Sequence, residues 1–104
     1  MKAFTVIVDP ALEPIMGRYF ELVREDLAAA DRAMAAGDAE GVRMVGHRLK
    51  GNGTSYGFPR LTELGAAMEQ AAMQGDLPGA DASAAEVREF IDAVRVVYGK
   101  ENAG

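Results

Sequence analysis

Between Ile15 and Met34 the apolar residues Met16, Tyr19, Phe20, Val23, Leu27, Ala30 and Met34 recur in steps of three and four. That is the period of a helix with one buried face, and the pattern returns three more times. Val42, Val45 and Leu49, continuing to Tyr56, make a second stripe. Leu61, Leu64, Met68 and Ala71 or Ala72 make a third, and Val87, Phe90, Ile91, Val94 and Val97 a fourth. Helices that can each hide only one face must pack those faces on one another.

Punctuation divides the stripes. Asp9-Pro10 is an N-cap followed by proline at a first helical position, and Pro14 interrupts that short turn and opens the first long helix. Gly37 sits where a left-handed cap ends a helix, and Asp38 caps the next. Gly57 breaks the chain and Pro59 restarts it. Gly75-Asp76 closes the third helix, Leu77 to Asp81 reads as a loop around Pro78-Gly79, and Ser83 with Glu86 forms a capping box for the fourth. The connections are short, so the expected fold is all-α, an antiparallel up-down-up-down four-helix bundle. The first residues, Met1 to Val8, are β-branched and read as an extended arm laid along it. The chain thus divides into an arm at 1–9, a bundle at 10–98 and a flexible tail at 99–104.

Composition removes several function classes. The 104 residues are enough for one core, and 49% hydrophobic with 26% charged is the balance of a globular protein. Phe4 to Val8 is too short an apolar run to span a bilayer and lacks the flanks of a signal peptide. There is no cysteine, hence no disulfide, thiolate metal site or thiol nucleophile; this fits a reducing, cytoplasmic setting. A net charge of −5, spread along the chain, disfavours nucleic acid, which demands a clustered basic surface. With one histidine, a transition-metal site would need carboxylates almost alone, and none has a ligand spacing.

The stretch Val42 to Leu64, VRMVGHRLKGNGTSYGFPRLTEL, departs from plain amphipathic helix. It holds the single histidine, His47. A helix turns roughly 100° per residue, so His47 lies nearly opposite Val45 and Leu49 and faces water if they face the core. Arg43, Met44, Lys50, Gly51 and Thr54 share that outward face. Gly51 and Gly53 each cost a helix roughly 1 kcal/mol relative to alanine, a loss that makes sense where something approaches the backbone closely. Met44 offers an apolar docking contact, and Lys50 a positive charge one turn beyond the imidazole. The plainer readings stand beside these: a solvated lysine, a surface histidine favouring the helix dipole, and Gly51-Asn52-Gly53 as a helix end and loop. A nucleotide-binding loop does not fit, because the lysine precedes the glycines.

His47-Arg48-Leu49-Lys50-Gly51, with Gly57 and Leu61 beyond, resembles the signature of histidine-containing phosphotransfer (HPt) domains. The resemblance extends to the Ala36–Asp38 helix ending and to Leu64–Glu69, and covers roughly Pro10 to Tyr98. It implies a four-helix bundle that presents one histidine to solvent. That histidine would accept a phosphoryl group from the aspartate of a hybrid sensor kinase's receiver domain and pass it to a response regulator. Lys50 would neutralise phosphoryl charge; Arg43, Met44, Gly51 and Thr54 would form the docking surface. No cofactor is expected on this chain, with Mg2+ and most catalytic groups belonging to the receiver, so the protein would be an intermediate without kinase activity of its own. The resemblance also implies that the helix runs through the glycines to about Tyr56.

Three positions depart from the pattern. Gly46 stands where alanine is common, Gly53 adds a second flexible point, and Glu69 stands where some members offer glutamine near the histidine. A carboxylate there would repel a phosphoryl group or point away. The alternative function is a non-phosphorylated helical adaptor that binds a partner through the face around Met44 and His47. A purely structural bundle is the third.

Overall fold

A computed structural model describes residues 4–99. A strand, β1 (Phe4–Val8), and a single 3-10 turn (Pro10–Leu12) lead into four helices. These are α1 (Glu13–Ala35), α2 (Ala39–Tyr56), α3 (Pro59–Met73) and α4 (Leu77–Ala93), and a second strand, β2 (Val94–Tyr98), closes the order. Paired positions show neighbouring helices running in opposite senses. Asp26 meets Arg48 while Tyr19 stacks on Tyr56, Gly53 faces Thr62 while Gly46 faces Glu69, and Arg24 meets Asp92 while Asp31 meets Arg88. The four-helix bundle expected from the periodicity is the observed fold. Among the described residues no helix is long and apolar enough to cross a membrane.

The predicted stripes supply the core. Met16, Tyr19, Val23, Leu27 and Ala30 of α1, Val42, Val45 and Leu49 of α2, and Leu61, Leu64, Met68 and Ala72 of α3 are buried with Val87, Phe90 and Ile91 of α4. Phe58, in the α2–α3 turn, is fully buried and meets Tyr19, Phe20 and Phe90 ring to ring. Asp38 accepts from Gly41 N at 3.0 Å as the α2 N-cap, and Gly57, at φ 82°, is the left-handed residue that ends the helix.

Three expectations are corrected. Leu77 to Asp81 is the start of α4 rather than a loop. Asp76 caps it by accepting from Gly79 N at 3.0 Å, and proline is tolerated in a first turn because the N–H it lacks would have no partner within the helix. Ser83 is consequently a buried residue inside the helix, not its cap. Second, α4 stops at Ala93, so Val94 and Val97 are not on its inner face. Val94 to Tyr98 is extended and pairs in parallel with β1, Phe4 to Val94 through Val8 to Tyr98. The arm is therefore a strand with a partner, and Val8 is buried in the core. Of the stretch from residue 99 read as a flexible tail, all but Gly99 lies outside the described residues.

The third correction concerns the glycines of α2, which is helical without a break to Tyr56. Gly46, Gly51 and Gly53 together cost roughly 3 kcal/mol in helix propensity, whereas burying Val42, Val45 and Leu49 contributes roughly 1.5–3 kcal/mol each. Packing wins. Gly53 is not an exposed flexible point but buried: a Cβ there would meet Thr62 N at 2.5 Å. Gly46 is likewise pressed on α3, its notional Cβ 2.6 Å from Glu69 N, and Gly65 returns the contact from the other side. These bare positions let two helix backbones touch. Of the two glycines first read as open to a visitor, only Gly51 has nothing within 4 Å of a Cβ.

Candidate functional site

The helical arc that buries Val45 and Leu49 turns His47 outward, and its side chain is 64% exposed. Met44, 46% exposed, Gly51 and Thr54 share the outward face; Lys50 and Arg43 are partly covered. The grouping expected from sequence is thus present as geometry.

Against Lys50, and at longer range Arg43, lies Glu69 of α3. The close contact at Gly46 brings α3 near enough for this carboxylate to reach across, and the side chain is only 13% exposed. One oxygen, Oε1, lies 2.8 Å from Lys50 Nζ; the other, Oε2, lies 3.1 Å from His47 Nδ1 and 3.8 Å from Arg43 Nη1. Arg43 is held mainly by Glu40, its Nε donating to Oε1 at 2.9 Å. Behind the site Arg48 binds Asp26 at 3.0 Å, tying α2 to α1. The Thr54 hydroxyl is within 3.3 Å of Lys50 O and 3.2 Å of the Thr62 hydroxyl.

Glu69 therefore neither points away nor stands as a free negative charge. The Lys50 ammonium, and secondly the hydrogen bond from His47, hold its carboxyl below the usual 4.5, against an opposing pull from burial. At neutral pH it is an acceptor only, so the ring nitrogen facing it, Nδ1, must carry the proton. In the neutral ring the lone pair is then on Nε2, the nitrogen away from Glu69. Because the folded carboxyl titrates below its unfolded value, the stability it confers is complete above pH 4.5 and is lost only as pH falls through that lowered value. A carbon-detected NMR titration of the Glu69 carboxyl should show its midpoint below 4.5; a midpoint above it would mean that Lys50 and His47 do not bind it.

Glu69 is the residue whose placement sequence reasoning missed. The signal was available in part: reflecting α2 onto α3 about the Gly57–Phe58 turn carries His47 to the level of Glu69. Distance between the helices, which decides whether the side chains meet, was not.

The grooves at the α2–α3 turn, one lined by β1 and Thr54 to Gly57 and the other by Gly53, Phe58 and Thr62, do not include His47. Its imidazole, 64% exposed, lies outside both grooves, an accessibility that suits a protein partner better than an enclosed small molecule. Among the described residues no group of three histidines, cysteines or carboxylates is arranged to hold a metal.

A family model, the Hpt domain, matches residues 14–96. Neither a curated protein nor a solved structure matches the chain, so the assignment rests on this match and on the bundle itself. The match takes in all of α2, α3 and α4 and all but the first residue of α1. The chain belongs to the Hpt family, whose role is histidine phosphotransfer in two-component signalling.

Proposed function

We propose that His47 is the phosphoacceptor of a relay between two receiver domains, one on a hybrid sensor kinase and one on a response regulator. The observation that carries this reading is the Glu69 Oε2 contact to Nδ1, which fixes the proton on the inner nitrogen and leaves Nε2 free on exposed surface. Nε2 attacks the phosphorus of an aspartyl phosphate in line. The N–P bond forms as the P–O bond to the aspartate breaks, and the carboxylate leaves with the electron pair. The ring, now bearing both the phosphoryl group and the Nδ1 proton, carries a positive charge that Glu69 faces. Attack by the second aspartate reverses these steps and returns neutral imidazole with its proton where it began.

Phosphoryl transfer depends mainly on positioning and charge neutralisation. Lys50 supplies the charge, its Nζ already held within one turn of the ring through Glu69. Arg43, Met44, Gly51 and Thr54 form the docking surface, Gly51 leaving bare backbone for the receiver to approach. Mg2+ belongs to the receiver, and the reading assigns no cofactor to this chain and a cytoplasmic setting to the exchange.

Mixing the protein with a phosphorylated receiver should place an acid-labile, base-stable phosphoryl group on it. Failure to label from receivers that phosphorylate other Hpt domains would remove the reading. Lys50→Ala should slow transfer about tenfold, equivalent to about 1.4 kcal/mol, with the melting temperature little changed; quench-flow at saturating receiver measures it, and an unaltered rate would release Lys50 from its role. The half-exposed Met44 also suits an adaptor that binds without phosphorylation. Partner binding indifferent to both His47 substitution and phosphorylation would favour that reading.

A further inference from the structure

Among the described residues the parallel ribbon of β1 and β2 has two strands, fewer than a sheet ordinarily needs. Val8 O accepts from Gly99 N at 3.0 Å. In a parallel ladder a residue turns its N–H and C=O toward the same neighbour, and the next residue turns both away. Phe4, Val6 and Val8 therefore bond β2, while the N–H and C=O of Thr5 and Ile7 point to the free edge. No hydrogen bond within the described residues reaches these four groups. A groove of about 880 Å³ is lined by Thr5 to Asp9 together with Thr54 to Gly57 and Pro59.

We infer that this edge pairs with β1 of a second copy of the chain, antiparallel about a two-fold axis at Val6. Three observations select that occupant. The free groups lie two residues apart, centred on Val6, so Thr5 of one copy falls opposite Ile7 of the other and all four groups on each edge are bonded. Between Phe4 and Val8 there is no charge, proline or glycine, the devices by which natural edges avoid self-pairing. Although the chain carries −5 overall, Asp9 and Arg95 are the only charged residues in 4–9 and 94–99, so like-charge repulsion does not oppose the contact. On the outer surface Ile7 and Val97 are register partners, 46% and 44% exposed. Pairing continues their row onto Thr5 and Arg95 of the second copy. The groove's lining includes neither Met44 nor His47 but does include Thr54 of the proposed docking surface; the pairing itself does not depend on the phosphotransfer reading.

Sedimentation equilibrium of the full chain from about 1 µM to about 1 mM should show a monomer–dimer equilibrium. Ile7→Pro removes one outward N–H but none of the bonds to β2, and should weaken the dimer at least about a hundredfold, as proline does at a strand edge that must pair. Ile7→Lys leaves the backbone intact and places a charge on the same edge, and should weaken it likewise. Circular dichroism and melting verify that each variant is folded. In the wild-type dimer the Thr5 amide should exchange with deuterium more slowly as concentration rises. A wild-type chain monomeric throughout the range overturns the inference, including the case in which a strand from another protein takes the edge. A dimer that survives both folded variants also overturns it, because its contact then lies elsewhere.

Discussion

His47→Gln should reduce receiver-dependent labelling to background while the bundle melts within a few degrees of wild type. No second imidazole exists in the chain to replace the lost one. The side chain is 64% exposed, and glutamine is at least as good a helix former as histidine, so a stability change beyond about 0.5 kcal/mol is not expected for a substitution outside the core. The amide can still donate toward Glu69, and the Lys50–Glu69 pair needs nothing from the ring. What disappears is a nucleophilic nitrogen, and with it the N–P bond. The measurement is radiolabel on the protein after mixing with a phosphorylated receiver, with helicity followed alongside. Label that persists in the folded variant would move the acceptor to another residue and end the proposed chemistry.

Gly65→Ala should destabilise the protein by about 1–3 kcal/mol, the usual cost of forcing atoms into a filled contact. At about 4–8 °C per kcal/mol for a domain of this size, the loss is on the order of 10 °C in melting temperature. Intrinsic propensity predicts the opposite sign, since alanine is favoured over glycine by roughly 1 kcal/mol in a helix. The added Cβ, however, would strike the backbone nitrogen of Lys50 and lie 2.8 Å from Gly46 O. Backbone cannot swing aside as a side-chain tip can, so α2 and α3 must separate. Glu69 then recedes from His47, and nitrogen NMR of the ring should show mixed Nδ1-H and Nε2-H forms in place of one. Gly51→Ala is the contrasting case: nothing lies within 4 Å of the new methyl group, and it should stabilise by up to about 1 kcal/mol. Thermal melts of the two variants side by side decide the matter. A Gly65→Ala protein as stable as wild type would show that these helices are not held in backbone contact.

The mechanism and the fold meet at this contact. Nearness of α2 to α3 is what converts Glu69 from a surface carboxylate into the group that sets the proton on His47 and restrains Lys50. A carboxylate that would repel an incoming phosphoryl group in isolation is here shared among cations: Lys50 at 2.8 Å and Arg43 at 3.8 Å. Such a pair, 40% exposed on the lysine side, is weakly held, so under the proposed mechanism Lys50 would turn to the phosphoryl group without unfolding anything.

Whatever repeats locally was legible in the order of residues alone. The four apolar stripes define four helices because a 3.6-residue period leaves one face to bury, and Gly37, Asp38 and Gly57 punctuate them through backbone preferences each residue carries alone. The outward direction of His47 follows from the same period, since it is an angle measured from Val45 and Leu49. Whatever depends on a distant partner was not legible there, and only the packed bundle reveals it. Val94 to Tyr98 is strand rather than helix because residues 4–8, some ninety positions away in the chain, offer it a ladder. Gly46 and Gly53 are helical because α3 takes up the room their missing side chains leave, and Glu69 reaches His47 for that reason. A residue's own propensity is worth about 1 kcal/mol; contacts made across the core outweigh it, and their partners are not neighbours in sequence.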